Sequence, residues 1–155
     1  MNAFFQGHKP VLGFMLFCVL WMVGGCEKAP LKPAAIGPND ICFYCRAPII
    51  AGGEKSQEAF AAEFITKDGF LRKFDDIGCL IANAQKVGKK NIVAYYAVDL
   101  VSKAWLPAEQ LTFVRSDKIR TPRNGGIIAF QDAARAQQVA AQYQAELVKL
   151  SDFIK

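Results

Sequence analysis

Apolar and polar positions fall into two similar cycles along the chain. In the first, apolar runs at 60–65 and 70–74 have strand length and are separated by the turn pair Asp68-Gly69. Asp76 then stands where a carboxylate caps a helix, and Leu80, Ile81 and Ala84 recur at helical spacing. An apolar strand at 92–98 closes the cycle. In the second, a strand at 111–114 precedes Asn124-Gly125 and a strand at 126–130. Asp132 follows as the cap, then Ala136, Val139, Ala140 and Tyr143 on one helical face, then a strand at 146–150. Asp68-Gly69 aligns with Asn124-Gly125, and Asp76 with Asp132, at one constant offset. Each cycle therefore predicts a ββαβ unit, over about 58–99 and 110–152. Neither unit is large enough for a full core of its own, so the two are expected to pack as one α+β domain spanning 39–155. The stretch 99–107 joins them, with Trp105 in the core or over the junction.

The N-terminus predicts a processing segment. His8 and Lys9 precede an uncharged apolar run over 11–23, which is shorter than the ~20 residues a spanning helix needs. Val23-Gly24-Gly25-Cys26 follows at once and resembles a bacterial lipobox. The expectation is a signal peptide over 1–25 and a lipid on Cys26, which tethers the chain to a membrane of the bacterial envelope and places its domain outside the cytoplasm. Pro30, Pro33 and Pro38 break regular structure, so 27–38 reads as a flexible tether.

Cleavage before Cys26 would remove all three methionines (Met1, Met15, Met22), Cys18 and the lone histidine, His8. The remaining charge is about +4, the full chain's +5 less Lys9. That excess suits anionic lipid or an acidic partner, and no dense Lys/Arg stripe points to nucleic acid. Without a histidine the mature chain lacks the commonest acid–base group, and no enzymatic activity is expected. Asp75-Asp76 reads as a loop charge followed by a helix cap, and Lys89-Lys90 as a solvated turn.

The chemistry concentrates in Cys42-Phe43-Tyr44-Cys45 and Cys79. Two thiols three positions apart suit a soft metal, thiol–disulfide exchange or a static disulfide. Cys79 falls in the first turn of the helix capped by Asp76, where backbone N–H groups favour a thiolate. Zinc would need a fourth ligand from Asp40, Asp75, Asp76 or water, whereas Cu(I) accepts two or three thiolates. An oxidising envelope favours pairing Cys42 with Cys45 instead. Pro48 keeps the motif from leading straight into a helix, unlike a thioredoxin-type site.

From Asp40 to Phe153 the chain resembles the NosL family, lipoproteins that act in copper supply to nitrous oxide reductase. The resemblance rests on the lipobox at Cys26, Asp40-Ile41-Cys42-Phe43-Tyr44-Cys45, Phe74-Asp75-Asp76-Ile77-Gly78-Cys79, Tyr95-Tyr96-Ala97-Val98-Asp99, Ala104-Trp105-Leu106, Thr121-Pro122 with Gly125-Gly126, and Ala129-Phe130. It implies a paired ββαβ fold related to part of organomercurial lyase. It also implies Cu(I) at Cys42 and Cys45, with Cys79 as third ligand, and delivery to an envelope partner such as the nitrous oxide reductase maturation machinery. This chain has Arg46-Ala47 where the family usually has Gly-Met, and Arg123 where it often has Met. The alternative is a metal-free binding module with a Cys42–Cys45 disulfide.

Overall fold

The structure, a computed structural model, describes residues 31–155. The expected signal segment, Cys26 and the start of the tether lie outside the described residues. The first ββαβ unit comprises β1 (Ala62–Thr66), β2 (Leu71–Phe74), α1 (Ile77–Val87) and β3 (Ile92–Val98). A short strand, β4 (Trp105–Pro107), precedes the second unit of β5 (Thr112–Arg115), β6 (Ile127–Phe130), α2 (Ala133–Tyr143) and β7 (Glu146–Val148). All pairings are antiparallel, in two sheets ordered β2-β1-β3-β4 and β6-β5-β7. In both sheets the unit's first strand is central, flanked by its second and third. The α+β fold and its internal repeat are thus as the residue pattern predicts.

Two details differ from that expectation. Part of the stretch 99–107 forms β4, which extends the first sheet beside β3, and Trp105 packs half-buried against the core. The two turn pairs also play different parts. Gly69, at φ +88°, lies in the short link between β1 and β2, while Asn124, at φ +55°, ends a long loop over 116–126. A Cβ on Gly126 would lie 2.4 Å from the Ser116 carbonyl oxygen, so the loop closes only on glycine.

Aromatic and branched side chains from both units fill one core. Phe64, Phe74 and Leu80 from the first join Phe113, Ile127 and Leu150 from the second. The Phe64 and Phe74 rings lie 5.1 Å apart in a tilted arrangement. A smaller cluster, with Val114, Ile128, Phe130 and Ala140, lies between α2 and the second sheet. Among the described residues, no helix is long and apolar enough to cross a membrane.

The expected tether is only partly a tether. The compact unit begins at Leu31, and residues 31–40 form a strap bonded to the first sheet. Glu63 on β1 lies opposite Lys73 on β2 and Tyr96 on β3, so the three side chains stand in one cross-strand row. Each meets the strap. The Ala34 N–H donates to Glu63 Oε2 at 2.9 Å, the Tyr96 hydroxyl to the Leu31 carbonyl at 2.7 Å, and Lys73 Nζ to the Ala35 carbonyl at 2.7 Å. Lys73 also pairs with Asp40 at 2.5 Å. The prolines prevent a strand or helix here, but three polar anchors hold an irregular chain just as well.

Glu63 is fully buried, and its Oε1 has no hydrogen-bond partner among the described residues. Burial pushes its pKa from an ordinary 4.5 up to about 7, against the opposing effects of the Ala34 N–H and Lys73; Asp40 and the Tyr96 hydroxyl also face it. With the folded pKa raised, this group's stabilisation is complete below pH 4.5 and is lost as pH rises through 7. The loss is on the order of 3 kcal/mol, at about 1.4 kcal/mol per pH unit. Urea midpoints across this range should show wild type losing that stability relative to Glu63→Gln, which lacks the titration. Parallel curves for the two proteins would refute the assignment.

Candidate metal centre

The Cys-x-x-Cys motif sits at the tip of a small loop laid against β2. Ile41 bridges to Pro48, the Ile49 N–H donates to the Asp40 carbonyl at 2.9 Å, and the Cys42 N–H to the Ala47 carbonyl at 2.7 Å. The Phe43 N–H donates to the Lys73 carbonyl at 2.8 Å, which fixes the loop to the sheet. The chain reverses through Arg46 at φ +68°, in the left-handed region that favours glycine. The loop directs Cys42 inward, where it is wholly buried, and leaves Cys45 facing solvent.

The other half of the site comes from the end of β2 and the start of α1. Asp76 caps α1, its Oδ1 accepting from the Gly78 N–H at 2.7 Å, as the sequence predicts. Cys79 follows in the first helical turn and is buried. Donor atoms from Cys42, Cys45, Cys79 and Asp75 all lie within 4.8 Å of one another. The structure therefore brings together all three sequence-predicted cysteines, each a free thiol. Cys26 lies outside the described residues.

Three expectations are corrected here. Asp75 is not a loop charge: it is 0% exposed, pairs with Arg123 Nε at 2.7 Å, and accepts from the Cys45 thiol at 3.6 Å. Asp40 and Asp76 are not ligand candidates, because Asp40 is taken by Lys73 and Asp76 by backbone and hydroxyl donors. The acidic thiol is Cys42 rather than Cys79. A hydrogen bond from the Cys79 thiol holds Cys42 down to about 6, despite its burial. Cys79 is pushed up, first by that same bond, then by burial and the negative field of Cys42 and Asp75. Burial and the Cys42 charge raise Cys45 as well.

Sequence reasoning marked Arg123 only as a departure from the family and missed its contacts with Asp75 and Asp76. The loop over 116–126 folds back onto Asp76, whose Oδ2 accepts from the Thr121 hydroxyl at 2.6 Å and the Arg123 N–H at 2.9 Å. Gly125 approaches so closely that a Cβ there would lie 2.3 Å from Asp76 Oδ1. Thr121 and Gly125 were legible as a motif, but their purpose shows only once the two units meet. The result is a cleft lined by Tyr44, Cys45, Cys79, Arg123 and Gly125 that opens the thiol cluster to solvent. The donor set fits a thiophilic ion: three sulfurs for a soft cation, one of them accessible, and a carboxylate beside them.

No protein-family profile matches the chain, and no curated protein sequence matches it. Among solved structures, the copper chaperone NosL from Shewanella denitrificans superposes with a TM-score of 0.67 at 17% identity, covering 81% of this chain and 98% of that one. With the repeat, the sheet orders and the cysteine-bearing cleft already in place, this likeness shows that the chain is built on the NosL fold.

Proposed function

We propose that this chain is a membrane-tethered accessory lipoprotein that binds Cu(I) through Cys42, Cys45 and Cys79 and passes it to an envelope protein, nitrous oxide reductase maturation or a similar metalloenzyme assembly being the destination. The observation that carries the reading is the convergence of three free thiols at a cleft on the fold of a copper chaperone. The tether and the envelope location rest on the lipobox sequence at Cys26.

The geometry suits transfer better than storage. Cys42 and Cys79 are buried and adjoin, so they form the inner pair of ligands. Cys45 faces the cleft, where an incoming sulfur can replace it one bond at a time. As each Cu–S bond to the chain breaks, one to the acceptor sulfur forms, and the freed thiolate takes a proton from solvent. Copper stays Cu(I) throughout, so no electron donor is needed.

Anaerobic titration of the reduced protein with Cu(I), against a chromophoric Cu(I) chelator, should give about one copper per chain. No uptake by the fully reduced protein would overturn the reading. A Cys42–Cys45 disulfide in protein taken from the envelope, unchanged during function, would support the metal-free binding module instead.

A further inference from the structure

The mouth of the thiol cluster carries a surface that metal ligation does not require. Four large apolar side chains lie open on or beside the cysteine loop: Ile41 at 43% exposure, Phe43 at 42%, Tyr44 at 38% and Ile50 at 42%. Each aromatic ring also carries a cation. The Arg72 guanidinium lies 4.3 Å from the Phe43 centroid, and the Lys86 ammonium 4.7 Å from that of Tyr44. Arg46 is exposed at the loop's turn. The two ion pairs among the described residues are Lys73–Asp40 and Arg123–Asp75, so Arg46, Arg72 and Lys86 have no carboxylate at pairing distance. A ring face attracts a cation without neutralising it.

Taking the copper-transfer reading of this site as its basis, we propose that the rim of the cysteine loop, built on Phe43, Tyr44, Arg46, Arg72 and Lys86, docks an acidic protein surface that presents the sulfur receiving or supplying the metal. Three features argue for this occupant. Aromatic side chains and arginine are the residues that bury well at protein interfaces. The unpaired cations make the rim positive, which steers an acidic partner and speeds its encounter. Cys45 lies within the same loop, so a partner seated on the rim brings its sulfur to the accessible thiol without a further search.

The test uses the purified full chain in detergent, reduced and under argon. The probes are a labelled synthetic peptide with two methionines flanked by aspartates and glutamates, and a matched peptide with lysines in place of the acids. Binding to the copper-free protein is read by fluorescence anisotropy. The acidic peptide should bind about tenfold more tightly than the basic one at low salt, and the preference should collapse near 1 M salt, where the Debye length is about 3 Å. The double variant Arg46→Glu/Lys86→Glu should lose the preference while keeping its thermal unfolding midpoint. Lys118→Glu, on the β5–β6 loop, should keep it. Equal binding of both peptides overturns the proposal. So does an equal effect of Lys118→Glu, which would mean that overall charge alone is at work. Tighter engagement of phosphatidylglycerol vesicles than of the acidic peptide, through the same Arg46 and Lys86, would make the rim a membrane contact and overturn it too. Because these readings need no copper, a chain that takes up no Cu(I) but prefers the acidic peptide would overturn the transfer reading alone.

Discussion

Asp76→Ala is expected to cost the domain about 4 kcal/mol, a large share of the roughly 5–15 kcal/mol by which domains are commonly stable. The carboxylate is 0% exposed and accepts three bonds, from the Gly78 N–H, the Thr121 hydroxyl and the Arg123 N–H. Losing a helix cap costs about 1 kcal/mol. Each buried donor left without an acceptor adds roughly 1–3 kcal/mol. Thr121 also accepts from the Gly126 N–H at 3.2 Å, so the loop over 116–126 loses its organising centre. The repeat supplies the control. Asp132 caps α2 through the Ala134 and Arg135 N–H groups but is exposed and binds nothing from the other unit. Asp132→Ala should cost only about 1 kcal/mol. Urea unfolding midpoints of the two variants measure the difference, and equal losses would show that Asp76 is no more than a cap.

That pair of aspartates shows what one sequence discloses. Local signals carry local structure: the apolar runs, the turn pairs and the capping aspartates predict the two helices and most of the strands, because each depends on neighbours a few residues away. Asp76 and Asp132 look alike by that measure. Their difference arises from a loop more than forty residues downstream of Asp76, which no local pattern specifies. The pairing of Asp75 with Arg123 was hidden for the same reason, each acquiring its role from the other. The strap was hidden by its prolines, which forbid regular structure without forbidding docking; its anchors come from a cross-strand row of Glu63, Lys73 and Tyr96. The three cysteines were legible as one candidate cluster because soft-metal chemistry is written in residue type, and the fold does bring them together. The order of acidity among them was not, since it depends on which thiol donates to which.

Cys42→Ser should abolish useful Cu(I) affinity, whereas Cys45→Ser should weaken it less and change how fast copper leaves. Cys42 is the deepest of the three thiols, wholly buried and adjoining Cys79, and its loop is pinned to β2 by the Phe43–Lys73 backbone bond. Serine offers a hard oxygen that stays protonated at neutral pH, a poor ligand for a soft monovalent ion. Removing even a hydrogen-bond partner of a metal ligand commonly costs about 10–100-fold in affinity. Removing the central ligand should therefore cost more than about 100-fold, because the deepest sulfur is gone and one of the two that remain, Cys45, is open to solvent. In Cys45→Ser the buried Cys42–Cys79 pair survives and can hold Cu(I) as a two-coordinate ion. Its affinity should fall by roughly tenfold. What it loses is the accessible sulfur through which exchange begins, so copper transfer to a small thiol should slow even as binding persists. Competition with a chromophoric Cu(I) chelator measures the affinities, and stopped-flow transfer to glutathione measures the exchange. If Cys45→Ser were to lose copper as completely as Cys42→Ser, the division into an inner pair and an exchanging outer thiol would fail, and the cluster would act as a single three-coordinate site.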